Sequence, residues 1–284
     1  MNVMKTWMIT GANSGFGRIL TEKLLERGDR VAATVRRPET LADLSAAHGD
    51  RLLIVTLDLR DGAAIEAAVS KSFDAFGRVD FAVSNAGYGV FGAAEEASDV
   101  EMKEIIDTNL IGSIRLIKAL LPRLRAQGGG RILQVASEGG QIAYPGFSLY
   151  HATKWGIEGF VESVAQEVRG FGIQFTIVEP GATRTNFGAG IVMSEPMDAY
   201  DGTPPRALIA AAQSGDWVIA GDPVRMVDAI IASTEREDAP LRLTLGVDAY
   251  HHVRDGLTAR LAALEAQKDI ALASDYTADE LARL

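Results

Sequence analysis

The sequence predicts a doubly wound α/β fold, a Rossmann-like parallel sheet with helices on both faces in a single domain, and three observations predict it. Short apolar runs alternate with longer helical patterns from Thr6 to Val178. Strands that alternate with helices in this way are joined by right-handed crossovers and pair in parallel. The first apolar run leads straight into a glycine-rich turn, Thr10-Gly11-Ala12-Asn13-Ser14-Gly15-Phe16-Gly17, at a strand-to-helix junction. Finally, 284 residues with 47% hydrophobic and 23% charged side chains provide apolar surface for one large core, at a size that α/β folds reach as one unit.

Taken in order, Thr6–Ile9 is the first strand, followed by a helix from Phe16 to Arg27, a strand over Arg30–Val35 and a helix around Glu39–Ala46. Leu52–Leu57 is the third strand, Gly62–Phe76 a helix, and Val79–Ser84 the fourth strand. One long helix is expected over Asp99–Arg125, then a strand over Arg131–Ala136, a helix over Tyr150–Gly170 and a strand over Ile173–Val178. Beyond Pro180-Gly181 the pattern lapses. Thr183–Val218 carries Gly188, Gly190, Pro196, Gly202, Pro204, Pro205 and Gly215, and a long irregular stretch in a compact domain is usually a lid or binding loop. Regularity returns with a helix over Asp222–Thr234, a strand over Leu241–Leu245 and a helix over Tyr250–Gln267, and Asp269–Leu284 reads as an exposed tail or interface element. The expected organisation is a domain over 1–246 with a partly helical substrate lid at about 183–218, and a helical extension of that domain over 247–284.

Charge and composition exclude several classes. A net charge of -10 with a pI near 5.0 argues against nucleic acid or an anionic membrane as partner, since both require clustered positive charge. With no cysteine there is no disulfide framework, thiol nucleophile or cysteine-zinc site. The N-terminal run reads as a strand, not a signal peptide, and no apolar run approaches the roughly 20 residues that cross a bilayer. A soluble, cytoplasmic protein is expected. His251 and His252 are neighbours on different helix faces and make no metal pair, so no metal site is expected.

The glycine turn suits a dinucleotide. Gly11, Gly15 and Gly17 let backbone approach a pyrophosphate and leave free helix N–H groups facing its charge, while Asn13 and Ser14 offer polar contacts on the adenosine ribose side. At the end of the second strand stands Ala33-Thr34-Val35-Arg36-Arg37. A carboxylate there would bind the ribose 2′-hydroxyl of NAD, whereas arginine pairs with the 2′-phosphate of NADP. Arg36 is the expected phosphate ligand, with Arg37 a weaker candidate, and NADP(H) the expected cofactor, with NAD(H) as its alternative.

Hydride transfer to a carbonyl calls for a proton donor and a group that holds the oxygen. Tyr150 and Ser137 suit those roles. Free tyrosine titrates near pH 10, so it needs a positive charge to serve at neutral pH, and Lys154 lies one helical turn along on the same face. His151, beside Tyr150, points elsewhere on the helix and reads as packing or a solvated edge.

These motifs, in this order, resemble the short-chain dehydrogenase/reductase family in its single-domain branch, over Met4 to about Thr185. The resemblance rests on Thr10-Gly-x-x-x-Gly-x-Gly, Asn85-Ala86-Gly87, Asn109, Ser137 and Tyr150-x-x-x-Lys154. It implies that Tyr150 is the acid/base, Lys154 also binds the nicotinamide ribose, Ser137 orients the substrate and Asn109 completes a proton relay through water. It further implies that Phe16 belongs to the cofactor turn, Asp58 contacts the adenine, and Asn85-Ala86-Gly87 lines the cofactor. Pro180-Gly181 would lie beside the nicotinamide, with Thr183 or Thr185 on its carboxamide. Ser84 stands where the family usually has a second Asn, and Glu138 where it often has a small residue; Glu138 is left unassigned. Tyr88-Gly89-Val90-Phe91-Gly92, Val35-Arg36 and the C-terminal extension resemble the 17β-hydroxysteroid-dehydrogenase-like subgroup. The function implied is an NADP(H)-dependent oxidoreductase that interconverts a small-molecule ketone or aldehyde and an alcohol, working as a homodimer or homotetramer. A redox sensor that binds NADP(H) without turnover is the alternative, and a sugar epimerase or dehydratase fits the glycine spacing less well.

Overall fold

The computed structural model describes residues 3–214, 218–238 and 240–283. Residues 1–2, 239, 215–217 of the expected lid and 284 of the expected tail lie outside the described residues. Along the chain the elements are β1 (Thr6–Thr10), α1 (Gly15–Arg27), β2 (Arg30–Val35), α2 (Ala42–His48), β3 (Leu52–Thr56), α3 (Gly62–Phe76), β4 (Phe81–Ser84) and β5 (Val90–Phe91). Next come α4 (Asp99–Ile105), α5 (Ser113–Ala126), β6 (Gly130–Val135), α6 (Ser148–Val168), β7 (Ile173–Pro180), β8 (Val192–Met193) and α7 (Pro204–Gln213). The chain continues through α8 (Pro223–Thr234), β9 (Arg242–Leu245), α9 (Val247–Glu265), α10 (Lys268–Leu272) and α11 (Ala278–Leu281).

Among the described residues, seven strands form one parallel sheet in the order β3-β2-β1-β4-β6-β7-β9. The expected doubly wound fold is present. Side chains of a strand alternate between faces, and each face here has its own core. Trp7, Ile9, Leu133 and Val178 pack with Leu20 and Leu24 of α1 and with Val227 and Ile230 of α8. Met8, Ile132 and Ile177 turn the other way, onto Ile65 of α3, Leu116 and Leu120 of α5, and Ile157 and Val161 of α6. Being buried on both faces accounts for the near-continuous apolar strands.

The chain leaves β1 in one direction and returns to begin β4 on its other side. That makes the carboxyl ends of β1 and β4 a topological switch point, where such sheets bind ligands. Local signals bound the helices. The Asp61 carboxylate accepts from the Ala63 and Ala64 N–H groups at 2.9 and 3.0 Å and caps α3, a contribution of about 1 kcal/mol. Ser98 and Glu101 form a capping box at the start of α4.

The expected helix over Asp99–Arg125 is corrected. A π-helical turn, Ile106–Gly112, separates α4 from α5, and Gly112 packs so closely on β3's exit that an added β-carbon would fall 2.7 Å from the Leu59 carbonyl oxygen. The helix expected around Glu39–Ala46 begins only at Ala42, because Pro38 enters through a 3-10 turn. A second, two-stranded parallel sheet pairs β5 with β8, joining the segment after the Asn-Ala-Gly turn to the irregular segment near residue 190. No helix among the described residues is long and apolar enough to cross a membrane.

Candidate active site

The glycine turn is shaped by close approach. Gly11 and Gly15 have φ of +66° and +51°, a region where a β-carbon is strained. A β-carbon on Gly17 would lie 2.3 Å from the Gly11 carbonyl oxygen, so α1 can start only where residue 17 is glycine. Ser14 occupies the N-cap of α1 without a side-chain cap, and the first turn holds no acidic residue. The helix N-terminus therefore keeps donors for an anion.

Across the switch point the Thr10 hydroxyl accepts from the Asn85 and Ala86 N–H groups at 2.9 and 3.1 Å, and Asn85 Nδ2 donates to the Thr10 carbonyl at 2.9 Å. Asn85-Ala86-Gly87 is thereby fastened beside the glycine turn. Asn13 and Ser14 are exposed there, while the Phe16 ring packs against the core. Arg36 and Arg37 are exposed where β2 ends, and among the described residues the Arg36 side chain makes no hydrogen bond or ion pair. Asp58 is paired with Arg60 at 2.8 Å, which holds its carboxyl below the usual range. A cradle that excludes β-carbons, an uncapped helix N-terminus and an unpaired arginine fit a dinucleotide phosphate.

Ser137, Tyr150 and Lys154 meet beyond this cradle. The Ser137 hydroxyl, at the end of β6, accepts from the Gly139 N–H at 3.1 Å, which leaves its own O–H to donate. Tyr150 is buried near Val90 and Ile105, with Phe147 and Phe187 rings 6.0 and 5.8 Å from its own. Burial pushes the phenol up to about 12, and the Ser137 hydroxyl pulls the other way. Lys154 Nζ donates to the Val135 carbonyl at 3.0 Å and lies 5.5 Å from the Tyr150 ring centre. Burial brings this ammonium down to about 8.

Asn109 sits in the π turn. Its Nδ2 donates to the Tyr88 carbonyl at 2.7 Å and its Oδ1 accepts from the Tyr88 N–H at 3.1 Å, so the side chain ties the π turn to the segment after Gly87. Pro180-Gly181 ends β7. The Thr183 hydroxyl donates to the Gly181 carbonyl at 2.8 Å, and the Thr185 side chain lies opposite Gly15, 3.6 Å from where a β-carbon would stand.

Two features, at Glu138 and Glu96, escape sequence reasoning, while His151 takes the packing role expected of it. Glu138, left unassigned there, is buried beside Ser137 and bonds His252 Nδ1 at 2.9 Å, which puts α9 at the serine loop. His151 is buried; Nδ1 donates to the Gly139 carbonyl at 2.7 Å and Nε2 accepts from the Tyr144 N–H at 3.2 Å, a packing and loop-holding role. Glu96 accepts from the Ala93 and Met197 N–H groups and from Arg206 of α7, fastening the segment that includes β8 to the body. Glu138–His252 and Glu96–Arg206 have no periodic signature, because each joins distant positions. Among the described residues no group of three or more His, Cys, Asp or Glu could hold a metal ion.

Comparison with known proteins shows the family. The sequence pattern of a family described as short chain dehydrogenase matches residues 5–195. The chain is similar to Oxidoreductase BOA17 of Botryotinia fuckeliana (strain B05.10), 36% identical over 275 residues that cover 95% of this chain and 99% of that protein. Its fold is similar to the crystal structure of a short-chain dehydrogenase from Streptomyces avermitilis, with a TM-score of 0.89 and 38% identity over 96% of this chain and 100% of that one. It is also similar to an alcohol dehydrogenase from the archaeon Thermococcus sibiricus complexed with 5-hydroxy-NADP, with a TM-score of 0.70 and 27% identity, covering 86% and 96% of the two chains.

Proposed function

Because this chain belongs to the short chain dehydrogenase family, we propose that it is an NADP(H)-dependent oxidoreductase interconverting a ketone or aldehyde and an alcohol. The observation that carries this reading is the buried Tyr150 phenol, flanked by the Ser137 hydroxyl with Lys154 one turn along the helix. When bound, the nicotinamide supplies or accepts the hydride. In reduction, Ser137 donates to the carbonyl oxygen and Tyr150 gives it a proton as negative charge develops there. A phenol pushed up to about 12 keeps its proton at neutral pH, as a donor must. Lys154 stabilises the phenolate left behind, and Asn109 holds the turn that faces them.

Gly11, Gly15, Gly17 and the start of α1 would hold the pyrophosphate, with Asn13, Ser14, Phe16, Asp58 and Asn85-Ala86-Gly87 around the adenosine half and the sheet edge. Thr183 and Thr185 would meet the nicotinamide end. The relative from Thermococcus, complexed with 5-hydroxy-NADP, supports a nicotinamide cofactor, and the unpaired Arg36 supports the phosphorylated form. Phe147 and Phe187 beside the phenol favour a substrate with an apolar group next to its carbonyl. Tyr88–Gly92 supports the hydroxysteroid-dehydrogenase-like subgroup without making a steroid the substrate.

The test is consumption of NADPH and, in parallel, NADH by purified protein over a panel of ketones, aldehydes, diketones and keto-steroids. Turnover with NADPH is expected. Cofactor binding with neither reduction of any carbonyl nor oxidation of any alcohol would favour a sensor instead.

A further inference from the structure

Tyr150, Lys154 and Glu158 recur every fourth residue along α6 and so share one helix face. The first two belong to the proposed catalytic set; the third does not. We propose that Glu158, anchored by Arg242 in a buried acidic network with Glu179, is a positioning residue for that set, its carboxylate keeping the Lys154 side chain charged.

The network spans three elements. Arg242 of β9 donates through Nη1 to Glu158 Oε2 at 2.6 Å and also to Glu179 of β7, and through Nε to Glu162 of α6 at 3.0 Å. Glu158 and Glu179 are 2% and 0% exposed. Glu179 is further satisfied by Gln141 Nε2 and the Thr244 hydroxyl, both at 2.8 Å. Glu158 is not: its Oε1 is buried and accepts no hydrogen bond among the described residues. That oxygen presses on the serine loop, where a β-carbon on Gly140 would fall 1.8 Å away.

One guanidinium shared between two fully buried carboxylates leaves the cluster short of positive charge. Buried charges demand partners, and the next cation on this face of α6 is Lys154. The groups that act on Glu158 are Lys154 from its own helix, Glu179 from β7 and Arg242 from β9, with Glu162 on the far side of Arg242. Burial alone drives Lys154 toward its neutral form, and the Glu158 carboxylate opposes this. Burial pushes Glu158 up and Lys154 down, and the charge of each opposes the shift of the other.

The proposal rests on the catalytic reading of Lys154, but its test reads that residue directly. In full-length protein with ¹³C-labelled lysine, the Lys154 side-chain resonance, identified by its loss in Lys154→Arg, is titrated without cofactor. Glu158→Gln should lower its midpoint by roughly one pH unit, the effect of losing one nearby opposite charge. Glu158→Asp should restore most of the wild-type value. A Glu158 that merely packs would change the melting temperature and leave the midpoint unmoved. An unmoved midpoint, or a shift of the wrong sign, overturns the proposal, and Glu158→Ala decides in its place should Glu158→Gln fail to fold. A shifted midpoint in a protein without turnover would sink the catalytic reading and keep the network; intact turnover with no shift would do the reverse.

Discussion

Asp248, in the first turn of α9, accepts a hydrogen bond from the Ala182 N–H at 3.0 Å. A β-carbon on Gly181 would come within 2.5 Å of the same carboxylate. One turn later, His252 bonds Glu138, so a single face of α9 reaches both the Pro180-Gly181 turn and the serine loop. Replacing Asp248 by Ala removes an acceptor worth about 1 kcal/mol and frees the turn expected beside the nicotinamide. Asp248→Ala should raise KM for cofactor several-fold with a small fall in melting temperature. An unchanged KM would show that α9 holds the turn without influencing the cofactor.

Gly17 is the tightest point of the cradle, with 2.3 Å between a β-carbon there and the Gly11 carbonyl oxygen. The obstacle is backbone, which cannot swing aside as a flexible side chain does. Gly17→Ala should weaken binding of reduced nicotinamide cofactor at least about tenfold, roughly 1.4 kcal/mol, as read by cofactor fluorescence. Wild-type affinity in a folded Gly17→Ala protein would remove the glycine turn from the cofactor site.

Arg36 is exposed and unpaired at the end of β2, so a new carboxylate there would face a 2′-phosphate directly. A charge-assisted hydrogen bond is worth about 1.5–3 kcal/mol. Arg36→Asp should cost NADPH affinity roughly ten- to a hundredfold and leave NADH affinity nearly unchanged. Parallel loss of both would assign the discrimination to other residues.

Glu96 gives the segment around β8 and α7 a pH dependence. Arg206, with the Met197 and Ala93 N–H groups, holds its carboxyl down to about 2 from an ordinary 4.5. A folded-state value below the unfolded one means stability that is complete above about 4.5 and is lost as pH falls from there through about 2. Thermal melts of wild type should fall across that acid window, and Glu96→Gln should start lower at neutral pH and fall less. Equal acid slopes would show that the pair does not hold the fold.

Much of this was legible in the sequence because the informative residues are local. The glycine turn, Asn85-Ala86-Gly87 and Tyr150-x-x-x-Lys154 each lie within one turn or one helix, where spacing alone implies geometry. Strands buried on both faces announced themselves as apolar runs. β5 and β8 did not, since two-residue strands carry no alternation and owe their pairing to the chain's return near residue 192. The π turn at Asn109 was hidden for another reason: its apolar spacing is that of a helix, and only Gly112 against Leu59 hints at the widened backbone. Glu138–His252, Glu96–Arg206 and Glu158–Arg242 join positions 84 to 114 residues apart, and no local pattern relates such partners.

In the proposed reaction Tyr150 gives and takes the proton, and the most direct test of that role is Tyr150→Phe, which keeps the ring against Phe147 and Phe187 and removes only the hydroxyl. NADPH binding should stay close to wild type, with carbonyl reduction down by roughly 10²–10⁴-fold for every substrate the wild type accepts. Turnover within a few-fold of wild type would contradict the assignment.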